Sequence, residues 1–184
     1  MKRLLAIAAL AAATMSVGLA EHKNAKGYER FVKEIRHELV MLPYYGVFDN
    51  LAYKVDGYNV TLMGQVTRPT LKSSAENVVK DIEGVEKVVN NIEVLPLSPN
   101  DDRLRLALYR SIYGHTALNR YALNAVPPIH IILRNGQVTL EGVVANEMDK
   151  NIANIQANGV SGVFGVTNNL RVEGRAEDTR SRTQ

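Results

Sequence analysis

The feature that most constrains this chain is that it is written twice. Displaced by 78 residues, the second half falls on the first without a gap from residue 60 to residue 94. Val60, Thr61, Leu62, Gly64 and Val66 land on Val138, Thr139, Leu140, Gly142 and Val144. Further on, Gly84, Val85, Val88, Asn90, Asn91 and Val94 land on Gly162, Val163, Val166, Asn168, Asn169 and Val172. About a third of the superposed positions are identical. The chain is therefore a tandem repeat of one folding unit.

Both copies run through the same order of patterns. Phe31, Ile35, Leu39 and Leu42 in the first, and Leu104, Leu108 and Ile112 in the second, recur at the spacing of one helical face. Pro43 closes the first helix. Ser98 caps the second helix, with Pro99 at its first position and Asp101 three residues after the cap. Two alternating strands follow. One pair flanks Asp56-Gly57 (Leu51, Tyr53, Val55, then Val60, Leu62, Val66), the other Asn135-Gly136 (Ile129, Ile131, Leu133, then Val138, Leu140, Val144). Both dipeptides favour hairpin turns. Gly64 and Gly142 interrupt the outgoing strands and suggest a bulge or a close backbone approach.

A further helix comes next in each copy. In the first its apolar residues are Leu71, Ala75, Val78, Val79 and Ile82. In the second Asn146 caps it with Asp149, and Ile152, Ala153 and Ile155 form the expected buried stripe. Gly84 and Gly162 let the chain leave these helices, and a last strand carries Val88, Ile92, Val94 or Val166, Leu170, Val172. The expected fold class is α+β: two tandem α-β-β-α-β units, each a small three-stranded mixed sheet packed against two helices. A unit of this size buries only a modest core, so docking of one copy on the other would add covered surface.

The ends differ in kind. Lys2 and Arg3 precede an Ala-rich apolar run, and Gly18 and Ala20 are spaced as at a signal-peptidase site. The run is shorter than the roughly 20 residues of a membrane span, so residues 1–20 are expected to be a secretory signal peptide cleaved near Ala20, leaving a periplasmic or secreted protein. The chain has no Cys, hence no disulfide and no lipid-bearing cysteine. Two of the charges behind the net +3 belong to the signal, so bulk charge makes no case for nucleic acid. Residues 174–184 are polar and aperiodic, expected to be a disordered tail.

The string Gly-Val-x-x-Val-x-Asn-x-apolar-x-Val, at Gly84–Val94 and Gly162–Val172, resembles the end of a BON domain (bacterial OsmY and nodulation). Val-x-Leu-x-Gly-x-Val, at Val60–Val66 and Val138–Val144, resembles that domain's central strand. The likeness spans about residues 28 to 173, with units expected at 28–95 and 101–173 and a Pro-containing linker at 96–100. It implies a non-enzymatic module that binds phospholipid or other envelope components, associated with osmotic or envelope stress. The first copy departs from the pattern in an aromatic insert, Tyr44, Tyr45 and Phe48, before its hairpin.

No catalytic constellation can be assembled. His22, His37, His115 and His130 do not pair in any metal or nucleophile spacing, and the glycines form no phosphate loop. No cofactor, metal or catalytic residue is expected. The repeated Asn-Asn is read as a backbone-bonding device rather than a ligand site, because asparagine near a strand start bonds local amides. One asymmetry points to a ligand. Arg103, Arg105, Tyr109, Arg110, Tyr113 and Arg120 crowd the first helix of copy two, with Arg105, Tyr109 and Tyr113 on one face. Guanidinium groups bond phosphate oxygens in pairs and tyrosine suits an interface, whereas the helix of copy one mixes its cations with Glu29, Glu34 and Glu38. The expected partner is an anionic phospholipid or membrane surface, bound peripherally. The alternative is a structural module that docks an envelope protein or peptidoglycan through a sheet edge or the Tyr44–Phe48 segment, without lipid.

Overall fold

The computed structural model describes residues 27–174. The expected signal peptide, His22 and nearly all of the charged tail lie outside the described residues. Unit one contains α1 (27–40), β1 (Asn50–Asp56), β2 (Asn59–Val66), α2 (Pro69–Lys80), β3 (Lys87–Asn90) and β4 (Glu93–Val94). Unit two contains α3 (Pro99–Tyr113), a 3₁₀ turn (Asn119–Leu123), β5 (Ile129–Arg134), β6 (Gln137–Val144), α4 (Glu147–Asn158), β7 (Gly165–Asn168) and β8 (Arg171–Val172). The two α-β-β-α-β units are thus present, each with a mixed sheet. The second strand is central, antiparallel to the first and parallel to the last. Parallel pairing needs a crossover, which α2 and α4 supply.

The last strand comes in two pieces in both units, because the first asparagine of each pair turns its side chain on the backbone. Asn90 Oδ1 accepts from the Ile92 amide at 3.1 Å while its Nδ2 donates to the Lys72 carbonyl on α2 at 3.0 Å. Asn168 repeats this with Leu170 at 3.2 Å and Lys150 at 2.9 Å. The repeated Asn-Asn motif therefore ties strand to helix, as its structural reading requires. Gly64 and Gly142 are close approaches without a bulge, since pairing keeps one register along both hairpins. With φ at 108° and 121°, a Cβ on either would stand 2.0 Å from the Asn50 carbonyl oxygen or 1.9 Å from that of Pro128.

Each unit has its own core. Phe31, Ile35, Leu39, Val60, Leu62, Leu71, Ala75, Val79 and Ile92 fill the first, and Leu104, Leu108, Ile112, Ile131, Val138, Leu140, Ala153 and Leu170 the second. Ser98 and Asn146 cap α3 and α4 as expected, accepting from the Asp101 and Asp149 amides at 3.2 and 2.8 Å. Asp101 also accepts from the Asn135 and Gly136 amides at 2.8 and 3.1 Å, clamping the hairpin turn to the start of α3.

Three expectations are corrected. Ile155 is 65% exposed rather than buried, because the inward positions of α4 are Asp149, Ala153 and Ala157. At 100° per residue, Ile155 points about 200° away from Ala153. The turn of unit one is not Asp56-Gly57 but Gly57-Tyr58, since Asp56 pairs with Asn59. Gly57 with φ 60° takes the first corner, as a II′ turn asks, whereas Asn135 and Gly136, both with positive φ, make a I′ turn. The longer connection from first helix to hairpin belongs to unit two (114–128) and not to the aromatic insert of unit one (41–49).

Candidate functional site

The six residues of copy two expected to meet a ligand, Arg103, Arg105, Tyr109, Arg110, Tyr113 and Arg120, occupy different environments. Arg105, Tyr109 and Tyr113 do share a face of α3, and that face is turned inward. Arg105 is buried, donating to the Leu133 carbonyl at 2.9 Å and to Asp102 at 2.5 Å. Tyr113 is buried too, with its hydroxyl donating to the Ile129 carbonyl at 2.6 Å and accepting from the Ile129 amide at 3.1 Å. Burial pushes this hydroxyl well above the ordinary tyrosine value, so it stays protonated. Tyr109 is half-buried, its ring 4.9 Å from Tyr113 and 6.4 Å from Phe48 of unit one. These three groups maintain the fold.

The exposed members are Arg103, Arg110 and Arg120. Arg103 donates to Asn100 at 2.8 Å. Arg120 lies over the Tyr121 ring and pairs with the buried Asp149, to which Tyr121 also donates at 2.6 Å. Arg110 has no ion pair among the described residues. Leu106, between Arg103 and Arg110, is 53% exposed. The helix α4 packs beside α3 and the 3₁₀ turn, held by the Ser111–Gln156 bond at 3.0 Å and the Arg120–Asp149 pair. It adds Met148 and Ile155, 70% and 65% exposed. The helices of unit two thus expose large apolar side chains as well as arginines. Unit one is different: at the positions equivalent to Met148 and Ile155, α2 carries exposed Thr70 and Asn77. Sequence reasoning missed both apolar residues, although comparing the copies position by position reveals them.

The second site lies between the units. The aromatic insert of unit one is a clasp: the Ile131 amide of β5 donates to the Val47 carbonyl at 2.7 Å, and Val47 and Phe48 join the core of unit two. Tyr45 stacks on His130 at 5.5 Å, and Arg134 bonds Glu93 at 2.7 Å. Asp49 anchors the clasp, accepting from the Thr67 amide at 2.7 Å and the Gly46 amide at 3.2 Å. Burial lowers His130 below its ordinary value, against the backbone of Asp49 and Gly46 and the carboxylates of Asp49 and Glu141. Burial likewise pushes the Tyr45 hydroxyl up to about 12, opposed by a hydrogen bond with the Leu51 backbone. Beside the clasp opens a cleft of about 1440 Å³, with β1 on one wall and Lys150 and Asn168–Val172 on the other.

Among the described residues no group of His, Cys, Asp or Glu could hold a metal ion, and no helix is long and apolar enough to cross a membrane. In comparisons with known proteins, the family model described as BON domain matches twice, at residues 35–96 and 115–174. No curated protein matches the chain. Among solved structures, the C-terminal domain of CdsD, the structural protein of the type III secretion system of Chlamydia trachomatis, is similar at 13% identity. That match covers 77% of this chain and 96% of that one, with a TM-score of 0.28. A further structure of CdsD is similar at 16% identity, covering 83% and 98%, with a TM-score of 0.27.

Proposed function

The chain belongs to the BON domain family, with two domains in tandem, and on that premise we propose that it is an envelope protein that binds anionic phospholipid peripherally through the helical surface of its second domain. BON domains are binding modules of the membrane and phospholipid type. The observation that carries the reading is the exposed apolar residues Leu106, Met148 and Ile155 on the helices that carry Arg103 and Arg110 or pack beside them; the first domain has Thr70 and Asn77 in place of Met148 and Ile155. Apolar side chains of this size can enter the headgroup boundary, while guanidinium groups bond lipid phosphates. Each cation near an anionic surface contributes about 1 kcal/mol, and salt screens the attraction.

Osmotic or envelope stress is the setting in which a module at this location would act, after export to the periplasm. The test is co-sedimentation with vesicles of phosphatidylglycerol against phosphatidylcholine. Binding is expected only to the anionic vesicles, weakening as salt rises. The double variant Arg103→Glu/Arg110→Glu should remove it while leaving the circular dichroism spectrum unchanged. Equal binding to both vesicles, or full binding by the variant, would rule the reading out.

A further inference from the structure

The two copies treat their edge strands differently. In unit two β5 is closed: Ile129 to Leu133 are all buried, and the clasp crosses the edge at Ile131. In unit one the equivalent strand β1 has no buried residue. Pairing parity identifies the open groups. The Asn50 carbonyl points toward β2, since it is the atom that a Cβ on Gly64 would strike. Asn50, Ala52 and Lys54 therefore bond β2, and Leu51, Tyr53 and Val55 direct their amides and carbonyls outward. The Tyr45 hydroxyl meets the backbone at Leu51. The backbone groups of Tyr53 and Val55 have no hydrogen bond outside the sheet among the described residues. An edge with free amides and carbonyls is a template for another strand.

The cleft borders this edge. At about 1440 Å³ it exceeds the roughly 300–1,000 Å³ of a small-molecule pocket. Its charge leans positive, with three cations against the carboxylates of Glu141 and Glu147. Arg36, Lys150 and Arg171 line it, and none of them forms an ion pair among the described residues. Of the two lining carboxylates, Glu141 already accepts from Asn169 at 2.7 Å, and Glu147 has a partner of its own.

We propose that this cleft binds an extended acidic peptide, which adds to the β1 edge as an antiparallel or parallel strand and places its carboxylates against Arg36, Lys150 and Arg171. Unit two shows the backbone geometry within the same molecule: the Val47 carbonyl on the Ile131 amide is one bond of such an addition, at the position equivalent to Tyr53. Main-chain bonds supply affinity in this mode, and side-chain surroundings supply specificity. The site is separate from the lipid-facing helices of unit two, so either can exist without the other.

The test uses the whole secreted chain and a fluorescein-labelled peptide of about seven residues, the length of β1, alternating valine and glutamate. Three comparisons are read by fluorescence anisotropy. The glutamate peptide should bind at least about ten-fold more tightly than its lysine counterpart. N-methylation of alternate peptide amides on the edge-facing side should abolish binding, because it removes the donors without touching the protein. The variant Lys150→Glu/Arg171→Glu, both changes being at the cleft rim, should weaken binding at least about ten-fold with unchanged circular dichroism. Absent binding, equal binding of both peptides, or indifference to N-methylation would overturn the proposal. So would a cleft variant that keeps the peptide and loses phosphatidylglycerol vesicles instead, since the cleft would then be a lipid site.

Discussion

At Gly142 the β6 backbone passes so near Pro128 that no side chain can enter, and its φ of 121° excludes ordinary residues independently. Gly142→Ala is therefore expected to cost on the order of 3–5 kcal/mol, read as a lower urea midpoint. Gly57 shares the positive φ, at 60°, but faces open space, so Gly57→Ala should cost less, about 1–3 kcal/mol, from backbone strain alone. His130 sets a pH dependence. Its folded value lies below the ordinary 6.5, chiefly through burial under the clasp. Between those two values the unfolded chain holds a proton that the folded chain does not. Stability should thus be full above 6.5 and fall as pH drops through that window. Urea titrations at about pH 7.5 and about pH 5 should show the loss. His130→Gln should flatten it, and an unchanged slope in that variant would exclude His130 as the cause. From sequence, His130 could only be read as a surface or half-buried histidine. Its burial depends on Tyr45, 85 residues away.

Among elements, α3 and α4 carry the clearest consequences. Asp101 serves both the helix start and the hairpin turn, receiving two turn amides within its buried position. Asp101→Ala should cost about 2–3 kcal/mol, since the buried Gly136 amide and the part-buried Asn135 amide both lose their acceptor. The cap pattern made the helix start legible, but not the clamp on a turn 34 residues away. The helix α4 offers the opposite case. Replacing Met148 and Ile155 with the residues of copy one, Met148→Thr and Ile155→Asn, should change stability by no more than about 0.5 kcal/mol. The same variant should lose binding to phosphatidylglycerol vesicles in a sedimentation assay. Retained binding would leave the arginines as the sole basis of any lipid contact.

For the molecule as a whole, the relation between the units rests on the clasp more than on charge. The Arg134–Glu93 pair is exposed on both sides, 57% and 43%, and such pairs contribute about 0–1 kcal/mol. Phe48 instead fills a place in the core of unit two against Tyr109. Phe48→Ala, alone or with Tyr45→Ala, should let the units separate and raise the radius of gyration in small-angle X-ray scattering. Glu93→Gln should leave it unchanged. Opening the clasp would also remove one wall of the cleft, so acidic-peptide binding should fall in the same variants.

Much of this architecture follows from the sequence by itself. Apolar periodicity, caps, turn glycines and a 78-residue repeat act over a few residues or through identity between copies, and they determine two α-β-β-α-β units and most of both cores. The sequence also marks where the copies diverge, in the aromatic insert and in the arginine-rich helix. What those divergent residues do was decided only in three dimensions. Arg105 and Tyr113 look like surface ligands until Leu133 and Ile129 take up their polar atoms. The aromatic insert looks like a free docking segment until Val47 meets Ile131 across the units. Local spacing orients a side chain around its own helix or strand. Whether that direction leads to solvent or to another part of the chain depends on contacts between residues far apart in sequence, and those exist only once the units have folded and docked.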